Sequence, residues 1–126
     1  MTRCLIVDDS SCFLEAARML LESQGVAVVG LASNGAEALR QVTELRPDVV
    51  LVDVGLGSES GFEVAKRLAR EVRGTPPPTI MISTFDEEDL ASLVAASPAV
   101  GFVPKMRLSA RVLQDVLDGV TGRPET

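Results

Sequence analysis

Histidine, tryptophan and tyrosine are absent from this 126-residue chain, and cysteine occurs only twice. Without histidine the chain cannot build the usual Ser–His or Cys–His dyads, a histidine zinc site, or a phosphohistidine of its own. Cys4 lies inside an apolar run and Cys12 opens a helical pattern. Neither spacing suits a zinc knuckle or a CxxC redox pair, so both read as reduced structural thiols. Positive charge is also scarce: 12 Lys and Arg against 18 Asp and Glu leave a net charge of −6. A phosphate backbone repels such a chain, and direct nucleic-acid binding is not expected. No apolar run approaches the ~18 residues of a membrane span. Met1-Thr2-Arg3 leads into a four-residue apolar run, shorter than a signal-peptide core, so the chain is read as cytoplasmic with no membrane partner.

What is present is a regular alternation. Five runs rich in Val, Ile and Leu read as strands: Arg3 to Val7, Val26 to Ala32, Val49 to Asp53, Thr79 to Ser83 and Val100 to Val103. Continuous apolar runs suit strands covered on both faces. Between them Phe13, Ala16, Ala17, Leu20 and Leu21 recur at helical spacing, as do Ala38, Leu39, Val42 and Leu45, and Val64, Ala65 and Leu68. Asn34 with Glu37 and Ser60 with Glu63 have capping-box spacing, and Asp86 and Ser109 are N-cap candidates for the last two helices. Gly25, Pro47 and the stretch from Gly74 to Pro78 mark helix ends. Alternating β and α segments imply one α/β domain, a doubly wound parallel sheet with right-handed crossovers and the flavodoxin-like order 2-1-3-4-5. The domain is expected over residues 1–120, with 121–126 as a short tail.

In that order the first and third strands are neighbours at the switch point, where such sheets bind ligands beyond their carboxyl ends. Asp8 and Asp9 follow the first strand and Asp53 ends the third. A single Asp at a strand end is most often an Asx turn or a helix cap. Three together repel and shift their pKa values upward unless a cation neutralises them. Their all-oxygen donor set suits Mg²⁺. Ser83 and Lys105 close the fourth and fifth strands at the same edge. No activated nucleophile other than Asp53 is evident, and a carboxylate can attack phosphorus to give an acyl phosphate when metal and ammonium neutralise the phosphoryl oxygens. Asp53 is therefore read as acceptor, Mg²⁺ as clamp, Lys105 as point-charge partner and the Ser83 hydroxyl as hydrogen-bond donor.

These residues carry a resemblance. Leu-Ile-Val-Asp-Asp-Ser at 5–10, Asp53 with Gly61 eight positions on, Ile-Ser-Thr at 82–84 and Gly-Phe-Val-Pro-Lys at 101–105 resemble the receiver domain of bacterial two-component response regulators, from Arg3 to about Val120. The resemblance implies that Asp53 takes its phosphoryl group from a sensor histidine kinase or phosphotransfer protein, without general enzymatic turnover. It further implies that Asp9 binds Mg²⁺ directly, Asp8 largely through water, and the Gly55 carbonyl completes the protein ligands. Ser83 and Phe102 become the switch pair, and the surface of the fourth helix, fifth strand and fifth helix is read by a downstream partner or a second copy. Read without the family, Phe102 is a core aromatic on a buried strand.

The chain departs from the family's pattern in three places. Gly57 stands where proline is usual, in the glycine-rich stretch from Gly55 to Gly61, which is expected to be flexible; Met106 replaces the proline that commonly follows the lysine; and Phe102 lacks the hydroxyl of the commoner tyrosine. A cis bond after Lys105 is not expected, because a non-proline cis peptide costs about 2.5–4 kcal/mol. Three other readings compete. An aspartyl phosphatase normally carries its nucleophile on the first strand with a second acid two residues later, whereas Asp53 is on the third and Gly55 holds that position. A flavin or nucleotide binder of this topology would meet Asp8 and Asp9 at its phosphate site. A receiver that binds its partner without phosphorylation would have no use for the intact set of Asp8, Asp9, Asp53, Ser83 and Lys105.

Overall fold

The apolar runs form one parallel sheet of five strands: β1 (Arg3–Val7), β2 (Ala27–Ala32), β3 (Val49–Asp53), β4 (Thr79–Ser83) and β5 (Gly101–Pro104). Their order is β2-β1-β3-β4-β5, as expected for a doubly wound sheet. The structure, a computed structural model, describes residues 1–84 and 87–120. Four helices make the crossovers, α1 (Ser11–Ser23), α2 (Gly35–Leu45), α3 (Gly61–Glu71) and α4 (Glu87–Ala95), and α5 (Ala110–Val120) follows the last strand. No described helix is long and apolar enough to cross a membrane.

The sheet separates two apolar layers. Cys4, Ile6, Leu51, Ile80 and Val103 face α1 and α5, packing on Leu14, Leu21 and Leu113. Leu5, Val7, Val52 and Met81 face the other way, against Ala38 and Val42 of α2 and Val64 and Leu68 of α3, with Phe102 at the border. Burial pushes the Cys4 thiol up to about 12, so it stays protonated as part of the core. Cys12 is exposed.

Helix ends follow local chemistry. Ser10 caps α1 by accepting from the Phe13 N–H, Asn34 caps α2 through the Glu37 N–H, and Ser109 Oγ accepts from the Val112 N–H in the first turn of α5. The Asp86 cap expected for α4 lies outside the described residues, as does the 121–126 tail. Two expected capping boxes are altered. Glu37 reaches the Ser33 N–H, one residue before the cap, and Glu63 pairs with Lys66 instead of returning to Ser60. Helix α1 ends in a Schellman motif, with Gly25 at φ +93° and bonds from Val26 N–H to Leu21 O and Gly25 N–H to Glu22 O. That motif consumes the Val26 donor, so β2 starts at Ala27 and not at Val26. Strand β5 is likewise displaced by one, since Pro104 pairs with Ser83.

Candidate functional site

The acidic site is built from backbone turns at the carboxyl edge of the sheet. Asp8 follows β1, its N–H donating to Ala32 O at 2.9 Å. Its Oδ1 accepts from the Ser10 N–H at 2.9 Å, so the Asx turn that such a residue favours is present and fixes the carboxylate. Asp9 is exposed beside it, and Asp53 ends β3 opposite Ile82 of β4. The three carboxylates each offer an oxygen within 4.8 Å of the others. That span is close to the roughly 4 Å across an octahedral Mg²⁺ shell with 2.0–2.1 Å bonds.

Lys105 opens a short 3₁₀ turn, Lys105–Arg107, directly after β5. Its Nζ lies 2.6 Å from Asp8 Oδ2 and 3.5 Å from Asp53 Oδ2. The 2.6 Å approach is an ion pair and not a well-aligned hydrogen bond, which leaves the buried Asp8 Oδ2 without a directional partner. One ammonium against three carboxylates leaves two negative charges uncompensated, the charge a divalent cation would balance. An under-coordinated buried oxygen, an oxygen-only donor set and that surplus all fit Mg²⁺.

Burial pushes the Asp53 carboxyl up to about 6, with Asp8 adding to the rise and Lys105 opposing it. An acid whose pKa is raised on folding stabilises the fold when protonated. That contribution is full below the unfolded value near pH 4 and is lost as pH rises through about 6. At ~1.4 kcal/mol per pKa unit, the ceiling is about 3 kcal/mol, reduced by solvent at the rim of the site to about 1–2 kcal/mol. Metal-free Asp53→Asn should therefore exceed the native protein in stability by about 1–2 kcal/mol at pH 7.5 and by little at pH 4. Urea unfolding at both pH values, with chelator present, checks this. Equal gains at the two would show that the charge is not the cause.

Ser83 is buried at the end of β4, one position beyond Ile82 and paired with Pro104. Phe102, partnered with Met81, is half-buried on the Met81 side of the sheet, where β5 lies beside α4. By strand alternation Ser83 and Phe102 share that face. The peptide after Lys105 is trans, as expected. The Gly55 stretch differs from expectation: Gly55–Leu56 pairs antiparallel with Glu59–Ser60 in a small hairpin turning through Gly57 at φ +67°. Leu56 anchors it in the core at 4 % exposure.

Three contributions were not foreseen. Phe13, read as part of the α1 core stripe, lies under the Lys105 ammonium at 4.3 Å from its ring centre, a cation–π seat. Gly61 is required by geometry, since a Cβ there would lie 1.9 Å from Asp53 O. Glu59 reaches the first turn of α2. For Phe13 the only signal was a large aromatic close after the paired acids, and a helical stripe absorbs it.

A doubly wound sheet with three carboxylates and one lysine at its switch point defines a class of acidic-pocket α/β domains. Within that class the family model described as "Response regulator receiver domain" matches residues 4–117, and the chain belongs to that family. It is similar to a protein-glutamate methylesterase/protein-glutamine glutaminase of Halobacterium salinarum, 40% identical over 96 residues covering 76% of this chain and 27% of that protein. It is also similar to the transcriptional regulatory protein LiaR of Bacillus subtilis, 29% identical over 126 residues covering 99% and 59%. The chain thus spans between about a quarter and three fifths of these curated relatives. Among solved structures, the signal receiver domain of the putative response regulator NarL from Mycobacterium tuberculosis is 31% identical with a TM-score of 0.77, covering 97% of this chain and 98% of that one. The response regulator domain of Thermotoga maritima CheB is 26% identical with a TM-score of 0.78, covering 98% and 99%.

Proposed function

We propose that residues 1–120 form a phosphorylation-controlled switch in which Asp53 accepts a phosphoryl group from a histidine kinase or phosphotransfer protein in the cytoplasm. One observation carries this: Asp8, Asp9 and Asp53, remote in sequence, converge within 4.8 Å beside Lys105 at the switch point. An Asp53 oxygen attacks phosphorus while the P–N bond to the donor imidazole breaks, its electron pair leaving with the imidazole, which is protonated. With its carboxyl titrating near 6, Asp53 is mostly the nucleophilic anion at neutral pH. Lys105, already within 3.5 Å of Asp53, supplies an ammonium for the phosphoryl oxygens, and the buried Ser83 hydroxyl supplies a hydrogen bond.

Asp8, Asp9, Asp53 and the Gly55 carbonyl would hold Mg²⁺, which when bound neutralises charge on the phosphoryl oxygens. Phe102, half-buried beside the Ser83 face, is the ring placed to repack when Ser83 is engaged, altering the surface of α4, β5 and α5 for a downstream partner or a second copy. The chain catalyses nothing beyond its own phosphorylation and dephosphorylation in this reading. Incubation with Mg²⁺ and acetyl phosphate, followed by intact mass, tests it. One phosphoryl group should add to the native chain and none to Asp53→Ala; no addition, or equal addition to both, overturns the reading.

A further inference from the structure

We propose that Glu59 is a positioning residue that holds the acceptor loop in its metal-binding shape, an inference that rests on the function proposed above. After Asp53 the chain runs out through Gly55 and Leu56, turns at Gly57 and Ser58, and returns through Glu59 and Ser60 to the start of α3. Gly57 stands where receiver domains usually carry proline, so the turn has no ring to stiffen it. The restraint comes from another element. Glu59 Oε1 accepts from the Gly35 N–H at 2.9 Å, across 24 residues, at the positive end of α2.

The receiving end is shaped for this contact. A Cβ on Gly35 would lie 2.6 Å from Glu59 Oε2, so the missing side chain is what admits the carboxylate. The neighbouring groups are committed elsewhere, Asn34 to the Glu37 N–H and Glu37 to Ser33. The hairpin so tethered lies beside the acidic site, since a Cβ added at Gly57 would stand 3.4 Å from Asp9 Oδ2. Gly61 fixes the C-terminal foot of the loop by donating its N–H to Val54 O at 2.7 Å, and Leu56 fixes the middle in the core. Glu59 is the third fixing point. Without it the arm carrying the Gly55 carbonyl, and the Gly57 turn beside Asp9, are held only by Leu56 and the Gly61 bond.

The test is Mg²⁺ affinity of the full chain by calorimetry, with amide exchange in the metal-free protein and acetyl phosphate uptake measured alongside. Glu59→Ala should bind Mg²⁺ about tenfold more weakly and exchange faster at Gly35 and across residues 55–60. Glu59→Gln retains a carbonyl acceptor and should stay within about threefold of the native protein. Gly35→Ala breaks the same contact from the other side, so its effect on affinity should not add to that of Glu59→Ala. It also carries the test, with Glu59→Asp, if Glu59→Ala fails to fold. Native protein that binds Mg²⁺ and takes up phosphoryl, with Glu59→Ala matching it in affinity and exchange, overturns the positioning role alone. Native protein that does neither overturns the parent reading and this one together.

Discussion

Gly61→Ala should cost about 3 kcal/mol or more of folding stability, above the usual range for overpacking, because nothing near the new methyl can yield. The methyl would lie 1.9 Å from Asp53 O, 2.8 Å from Asp53 C and 3.1 Å from Val54 Cα, all backbone. The same glycine donates its N–H to Val54 O at 2.7 Å, so α3 cannot back away without breaking that bond. Any relief moves the acceptor itself. Gly55→Ala is the matched control, since its methyl would meet nothing within 4 Å and should leave stability within ~0.5 kcal/mol. Urea unfolding of both variants checks the contrast, followed by far-UV circular dichroism because the chain has no Trp or Tyr to report by fluorescence. Similar losses in the two would show that the tight approach is not a constraint.

Lys105→Met should destabilise the metal-free protein at neutral pH by about 3 kcal/mol, the cost of leaving a buried carboxylate without its partner. Asp8 is the group left exposed to that cost: its side chain is 1% accessible, its Oδ2 has the ammonium at 2.6 Å, and its one directional hydrogen bond, from Ser10, is to Oδ1. Asp53 loses the charge that opposes its upward shift, so it should titrate higher still. The methionine stem can still rest on Phe13, which separates loss of charge from loss of packing. Two rescues should follow from the electrostatic cause. Millimolar Mg²⁺ should restore much of the stability by supplying a replacement cation, and Asp8→Asn in the same chain should recover more than half of it. A deficit unchanged by either would place the role of Lys105 in packing.

The parts of the fold that could be read in the sequence are those set by composition over several residues. Five short runs rich in Val, Ile and Leu read as strands, and the flavodoxin-like order is the one expected of five βα units with right-handed crossovers. The acidic site followed from those two facts, since it needs only the ends of β1 and β3 to be neighbours. What could not be read depends on contacts across the fold. The hairpin at Gly55–Ser60 is too short for any periodicity, and its glycines suggest freedom where Leu56, Glu59 and Gly61 impose restraint. Phe13 looked like one more core position because a helical stripe does not reveal that Lys105, 92 positions later, returns to lie over it. Strand β2 began one residue late because a helix-ending motif claimed the Val26 N–H, a competition that apolar patterning does not register.

The sheet acts as a bulkhead between two compartments. Along β5, Phe102 sides with the Met81 layer while Val103 sides with α1 and α5, and Lys105 leans on Phe13, which belongs with the latter group. Apolar changes of volume on opposite sides of that wall and well separated along the strands should have free energies that sum nearly independently. Sequence drift can therefore reshape the surface beside Phe102 while the seat of the ammonium keeps its form.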